Sequence, residues 1–203
     1  MPDKDPALRA HYAKLALKRL RAYPEGKGGE IRERITADNL AVIREASSLT
    51  WLPVTAMIEV CDAILTVLGE TAAREFWTDL MRDSYDHGLL KPLTVLAQFS
   101  LGRTGASRLL RTAPRAWALS ARSCGNIEFT GEDDAGDDRG MRLRGVDLIP
   151  EILHSKGFVC VFYGACRAML DVFKSRGEIR VLEHNNTGAE RPQLAFEIVF
   201  AGD

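Results

Sequence analysis

The spacing of apolar residues changes once along the chain, and that change limits the fold more than any other feature. Up to about Ala121 apolar side chains recur every three or four residues; after Cys124 they alternate in twos, with one helical interruption. A helical half therefore precedes a half built on hairpins. Thr55 to Leu68 puts Met57, Ile58, Cys61, Ile64, Leu65 and Leu68 on one face, and Gly69 stands where a helix ends in a left-handed residue. Ala73, Phe76, Trp77, Leu80 and Met81 repeat the pattern, stopping near Gly88. A third helix runs from Leu89 to Phe99, and a fourth opens at Thr104-Gly105. Ahead of them, Ala7 to Arg21 reads as a basic amphipathic helix, and Pro24 with Gly26, Gly28 and Gly29 as a linker. Residues 1–29 are thus expected to form a basic helical arm and linker, and 30–203 a single domain.

Beyond Cys124, Asn126–Thr130 and Met141–Val146 alternate across the acidic stretch Glu132–Asp138, the pattern of a hairpin with a charged tip. Phe158 to Phe173 returns to helical spacing and closes at Gly177. Ile179–His184 and Gln193–Phe200 then make a second hairpin around Asn185-Asn186-Thr187-Gly188. The expected class is α+β: an N-terminal helical layer followed by β-β-α-β-β, an antiparallel sheet with helices on one face, because each hairpin has one apolar face to bury.

Composition removes several function classes. Lys plus Arg number 27 against 28 Asp plus Glu, a net charge of -1, so the basic excess of a typical nucleic-acid binder is missing. No apolar run approaches the roughly 20 residues that span a bilayer, and MPDKDPALRAHYAKL has no apolar signal core; the expected location is cytoplasmic, with Cys61, Cys124, Cys160 and Cys166 as reduced thiols.

No nucleophile elbow, zinc-protease helix, P-loop or dinucleotide fingerprint is present, so no enzyme and no cofactor is expected. Cys160 and Cys166 are six apart on a predicted helix and face different ways, which gives no metal pair. His11, His87, His154 and His184 are scattered, and the acidic tip lacks the alternating carboxylates that wrap calcium.

The aromatic residues are more informative. Trp51, Phe76, Trp77, Phe99, Trp117, Phe158 and Phe162, with Met57 and Cys61, fall on buried faces of separate elements and are the expected wall of an apolar ligand cavity between helices and sheet. Trp51-Leu52-Pro53 leading into an apolar helix, Leu109 through Trp117 before a Gly-led strand, the helix ending at Gly177 and the terminal Leu194–Phe200 strand together resemble an uncharacterised family of about 200 residues known mainly from myxobacteria. That family is similar to four-vinyl-reductase domains and transport-protein-particle subunits, and more distantly to haem nitric-oxide-binding domains. The resemblance implies a non-enzymatic, often dimeric small-molecule-binding fold, with Cys61 as a candidate for acylation. The haem group carries a Tyr-x-Ser-x-Arg motif, whereas the nearest string here, Tyr163-Gly164-Ala165-Cys166-Arg167, lacks the serine and falls within a helix.

Three functions follow as expectations. The first is a regulatory module that binds a small apolar ligand. The second is an interaction or scaffolding subunit, homodimeric or bound to another protein. The third is a haem-based gas sensor with His87 as the iron ligand.

Overall fold

The structure is a computed structural model and describes residues 5–87, 90–97, 102–131, 140–182 and 194–201. It is α+β. Strand β1 (Ala7–Arg9) leads into α1 (Ala10–Leu20), a 3₁₀ turn at Pro24–Gly26, α2 (Lys27–Glu33) and α3 (Ala37–Glu45). Strand β2 (Trp51–Pro53) precedes the two long helices α4 (Val54–Leu68) and α5 (Glu70–His87). Then come α6 (Lys91–Ala97), α7 (Gly102–Leu110), α8 (Ala113–Ser120) and β3 (Ala121–Arg122). The C-terminal part is β4 (Asn126–Gly131), β5 (Gly140–Val146), α9 (Pro150–His154), α10 (Lys156–Val172), β6 (Gly177–Leu182) and β7 (Ala195–Phe200).

The strands form two antiparallel sheets, one ordered β2-β1-β3 and one ordered β4-β5-β7-β6. The larger sheet follows from its alternation. Met141 pairs with Ile198 and Leu143 with Phe196, and all four are buried beneath the helices. On the other face Arg142 meets Glu197 at 3.0 Å and Arg180 meets Glu178 at 2.9 Å. Ala7–Arg9, read from sequence as the first turn of a helix, is instead the central strand of the small sheet. Three residues are too few to show a period, and tertiary pairing with Trp51–Pro53 and Ala121–Arg122 decides their state. Helix α1 is part of the common core through Ala10, Ala13, Ala16 and Leu20.

Helix α10 runs through the centre, against α4 and α5 on one side and the sheet on the other. Its N-terminus is held by a small network: Ser155 Oγ accepts from Phe158 N–H at 2.9 Å, while Asp62 Oδ1 accepts from Ser155 Oγ at 2.7 Å and Gly157 N–H at 3.1 Å. A carboxylate here satisfies two otherwise orphaned donors at the positive end of the helix. Asp62→Ala is expected to cost roughly 1.5–3 kcal/mol, the range for hydrogen bonds to a charged group. A thermal melt by circular dichroism checks it, and a variant melting like the wild type would remove Asp62 from this role.

Candidate functional site

Between the helical layer and the larger sheet lies a cavity of about 110 Å³. Its helical wall is built by Tyr12 on α1, Met57 on α4, Met81 and Tyr85 on α5, and Trp117 on α8. Helix α10 supplies Phe158, Phe162, Ala165, Cys166 and Met169, and the sheet closes the space with Ile127, Leu143 and Phe196.

Aromatic contacts stiffen one end. Phe162 sits 5.4 Å from Trp117, 5.3 Å from Phe158 and 5.7 Å from Phe196, centroid to centroid. The Trp117 indole N–H is spent on the Gly125 carbonyl at 2.8 Å, so its ring presents only apolar surface inward. Three methionines line the rest, side chains that adapt to irregular ligands.

The polar groups of the wall are neutral. Tyr12 Oη and Ser120 Oγ are 3.2 Å apart, and Tyr85 Oη donates to the Ala165 carbonyl at 3.5 Å. Burial raises the Tyr12 hydroxyl above its ordinary pKa, raises that of Tyr85 further, and pushes the Cys166 thiol up to about 12. At neutral pH the cavity therefore offers phenols, a thiol, thioethers and a serine, but neither thiolate nor phenolate. No Lys, Arg, His, Asp or Glu is among the described lining residues.

Of the nine residues singled out from sequence, Met57, Trp117, Phe158 and Phe162 meet in this wall. Cys61, Phe76 and Trp77 do not reach it. They are buried in the core around α4 and α5, and burial raises the Cys61 thiol well above its ordinary pKa. Trp51 is also elsewhere, stacked at the small sheet with the Arg9 guanidinium 3.7 Å above its ring. Phe99 lies outside the described residues, as do the acidic tip 132–138, His184 and the loop 185–188. Sequence reasoning did not single out Tyr12, Met81, Tyr85, Leu143, Cys166, Met169 or Phe196 as cavity residues. Tyr12, Met81, Cys166 and Met169 lie within helical stripes the spacing did mark, and Leu143 and Phe196 on marked strand faces, but a stripe records burial and not what it is buried against.

Comparisons with known proteins give a fold and no family. No family model matches the chain, and no curated protein does. Solved structures do match along nearly the whole length. An unliganded Fe(II) mutant H-NOX protein from K. algicida superposes with a TM-score of 0.66 at 10% identity, covering 97% of this chain and 98% of that one. An oxygen-binding H-NOX domain related to soluble guanylate cyclases gives 0.59 at 11%, covering 96% of each chain. A T. Tengcongensis H-NOX mutant gives 0.58 at 11%, covering 96% of this chain and 98% of that one.

The chain thus has the H-NOX fold. This corrects the resemblance drawn from sequence: the solved structures that match are H-NOX domains, not four-vinyl-reductase domains or transport-particle subunits. The haem nitric-oxide-binding domains, placed from sequence only as more distant relatives, are the ones whose fold matches; at 10–12% identity too few residues are shared for short strings to rank the candidates.

The H-NOX fold raises the question of haem, which work on that family concerns. Haem iron takes a histidine, a cysteine thiolate, a methionine beside a histidine, or a tyrosine. His87, the ligand expected from sequence, is the exposed last residue of α5 and is absent from the cavity wall. His154 is the exposed last residue of α9, and His11 is half-buried on α1; neither is among the cavity's described lining residues. No cation is among the described lining residues to meet propionates. The volume, about 110 Å³, is also well under the ~300–1,000 Å³ of sites for drug-sized ligands. Tyr163 and Arg167 of the Tyr-x-Ser-x-Arg remnant are engaged elsewhere, under the Arg74 guanidinium and on Asp171 respectively. None of the described histidines lines the cavity, so the described residues do not fit a histidine-held haem there.

Proposed function

We propose that this chain is a sensor domain in which the cavity between helices and sheet takes a compact, uncharged, apolar ligand. The observation that carries it is an apolar cavity at the meeting point of α1, α4, α5, α8, α10 and the sheet, so that filling it couples the two halves of the fold. The likeness to H-NOX structures favours a gas sensor over a module for any apolar molecule, and favours either over a scaffold. The chain's own residues set the condition on that reading. The ligand is smaller than a porphyrin and meets Tyr12 and Ser120 as hydroxyls, Tyr85 as a phenol, and otherwise aromatic and thioether surface. No catalytic step is assigned. No helix among the described residues is long and apolar enough to cross a membrane.

Binding to the folded state alone raises stability by about 2.7 kcal/mol at a hundredfold excess over Kd. For a chain of this size that is a rise of roughly 5–11 °C in Tm. Benzene, indole and phenol are suitable probes in a melting experiment. Ala165→Phe, which puts a ring into the cavity, should keep the fold and remove the rise. Identical shifts in wild type and variant would place the ligand elsewhere; no shift with any small apolar compound would end the proposal.

A further inference from the structure

Helices α1, α2 and α3 enclose a second groove, of about 570 Å³, on the outer side of α1. Five cations line it: Lys14 and Lys18 from α1, Arg21 at its C-terminal cap, Arg32 from α2 and Arg44 from α3, together with His11. No carboxylate is among its described lining residues. The whole chain carries a net charge of only -1, so this concentration does not follow from a generally basic surface.

The pairing pattern is the sharper observation. Arg19, on another face of the same helix, is matched by Asp79 at 2.7 Å and Asp83 at 3.1 Å. Lys18, Arg21 and Arg44 have no ion pair or side-chain hydrogen bond among the described residues. They are exposed, while Lys14 and Arg32 are built into the frame. Lys14 Nζ donates to the Arg44 carbonyl at 3.1 Å and to those of Ile43 and Ala46, pinning the end of α3 to α1, and Arg32 Nε donates to the Gly28 carbonyl at 3.1 Å. Leu15, Leu17 and Ile43 supply an apolar floor. Unpaired guanidinium groups around a fixed groove suit an anion that offers two oxygens to each fork, as a phosphate does, and the floor suits an attached organic body.

We propose that this groove binds a phosphate ester, with the phosphate held by Lys18, Arg21 and Arg44. The groove and the cavity share α1: His11 borders the groove, reaches Ser84 Oγ at 3.4 Å and meets Tyr12 edge-on at 5.2 Å, and Tyr12 lines the cavity. The groove is therefore placed to report the state of the sensor, although its own binding does not depend on the cavity having a ligand.

Calorimetric titration of the full chain with pyrophosphate and with ADP, and sedimentation with phosphatidylcholine vesicles with and without a phosphoinositide, test this at low ionic strength. One-site binding is expected, weakened roughly tenfold or more by Lys18→Glu/Arg21→Glu/Arg44→Glu and steeply by salt. Soluble probes alone binding assigns a free phosphate ester; phosphoinositide vesicles alone binding assigns a lipid headgroup. Arg108→Glu/Arg115→Glu/Lys156→Glu makes the same charge change at exposed sites that do not line the groove, and at about 0.1 M salt, where long-range effects are screened, should leave binding within about twofold. No binding by any probe, or equal weakening in both triple variants, overturns the proposal. Should the first variant melt early, Arg44→Gln alone reads the same loss.

Discussion

Gly164→Val should leave a protein that melts far below the wild type. Gly164 is buried on α10 where it crosses α5, and a Cβ there would lie 2.7 Å from Thr78 N and from the Trp77 carbonyl carbon and Cβ. Two of those neighbours are backbone atoms of a helix, which cannot swing aside as a side-chain tip does. Overpacking costs typically 1–3 kcal/mol, and a branched side chain against backbone belongs at or above the top of that range. At about 3 kcal/mol the fall in Tm is roughly 6–12 °C for this chain length. Gly29 on α2 is the internal control: a Cβ there meets nothing within 4 Å, so Gly29→Ala should be neutral or raise stability by about 0.5–1 kcal/mol. Equal melting of the Gly164 variant and the wild type would mean that α5 and α10 are not packed as described. The close approach matters to function because both helices form the cavity wall.

How much of this was legible in the sequence depends on the length of each signal. The change of period near Cys124 located the boundary between helices and the larger sheet, since α4, α5 and α10 are long enough to repeat their apolar stripe several times. Strands β1, β2 and β3 are two or three residues each, and nothing in so short a run distinguishes a strand from the start of a helix.

The candidate site was partly legible for a related reason. Periodicity marks a side chain as buried without saying what covers it. Trp77 and Phe162 carry the same mark, yet Trp77 is fully buried away from the cavity while Phe162 forms its wall. Tyr12 and Tyr85 fall among charged neighbours in sequence, and only the structure shows where their hydroxyls go, Tyr12 to Ser120 on α8 and Tyr85 to the Ala165 carbonyl on α10.

Haem is where the fold and the residues pull apart, and the outcome should be all or none. The matching structures are H-NOX domains, but here His87 stands outside the cavity at the exposed end of α5, and neither a histidine nor a cation is among the described lining residues. Fold alone does not carry function; the site does. Titration of the purified protein with hemin, followed in the Soret region and under reduction with carbon monoxide, therefore tests the central claim most directly. The account predicts the spectrum of free or loosely bound hemin, unchanged by His87→Ala. A stoichiometric complex with a sharp Soret band that is lost in His87→Ala would contradict it.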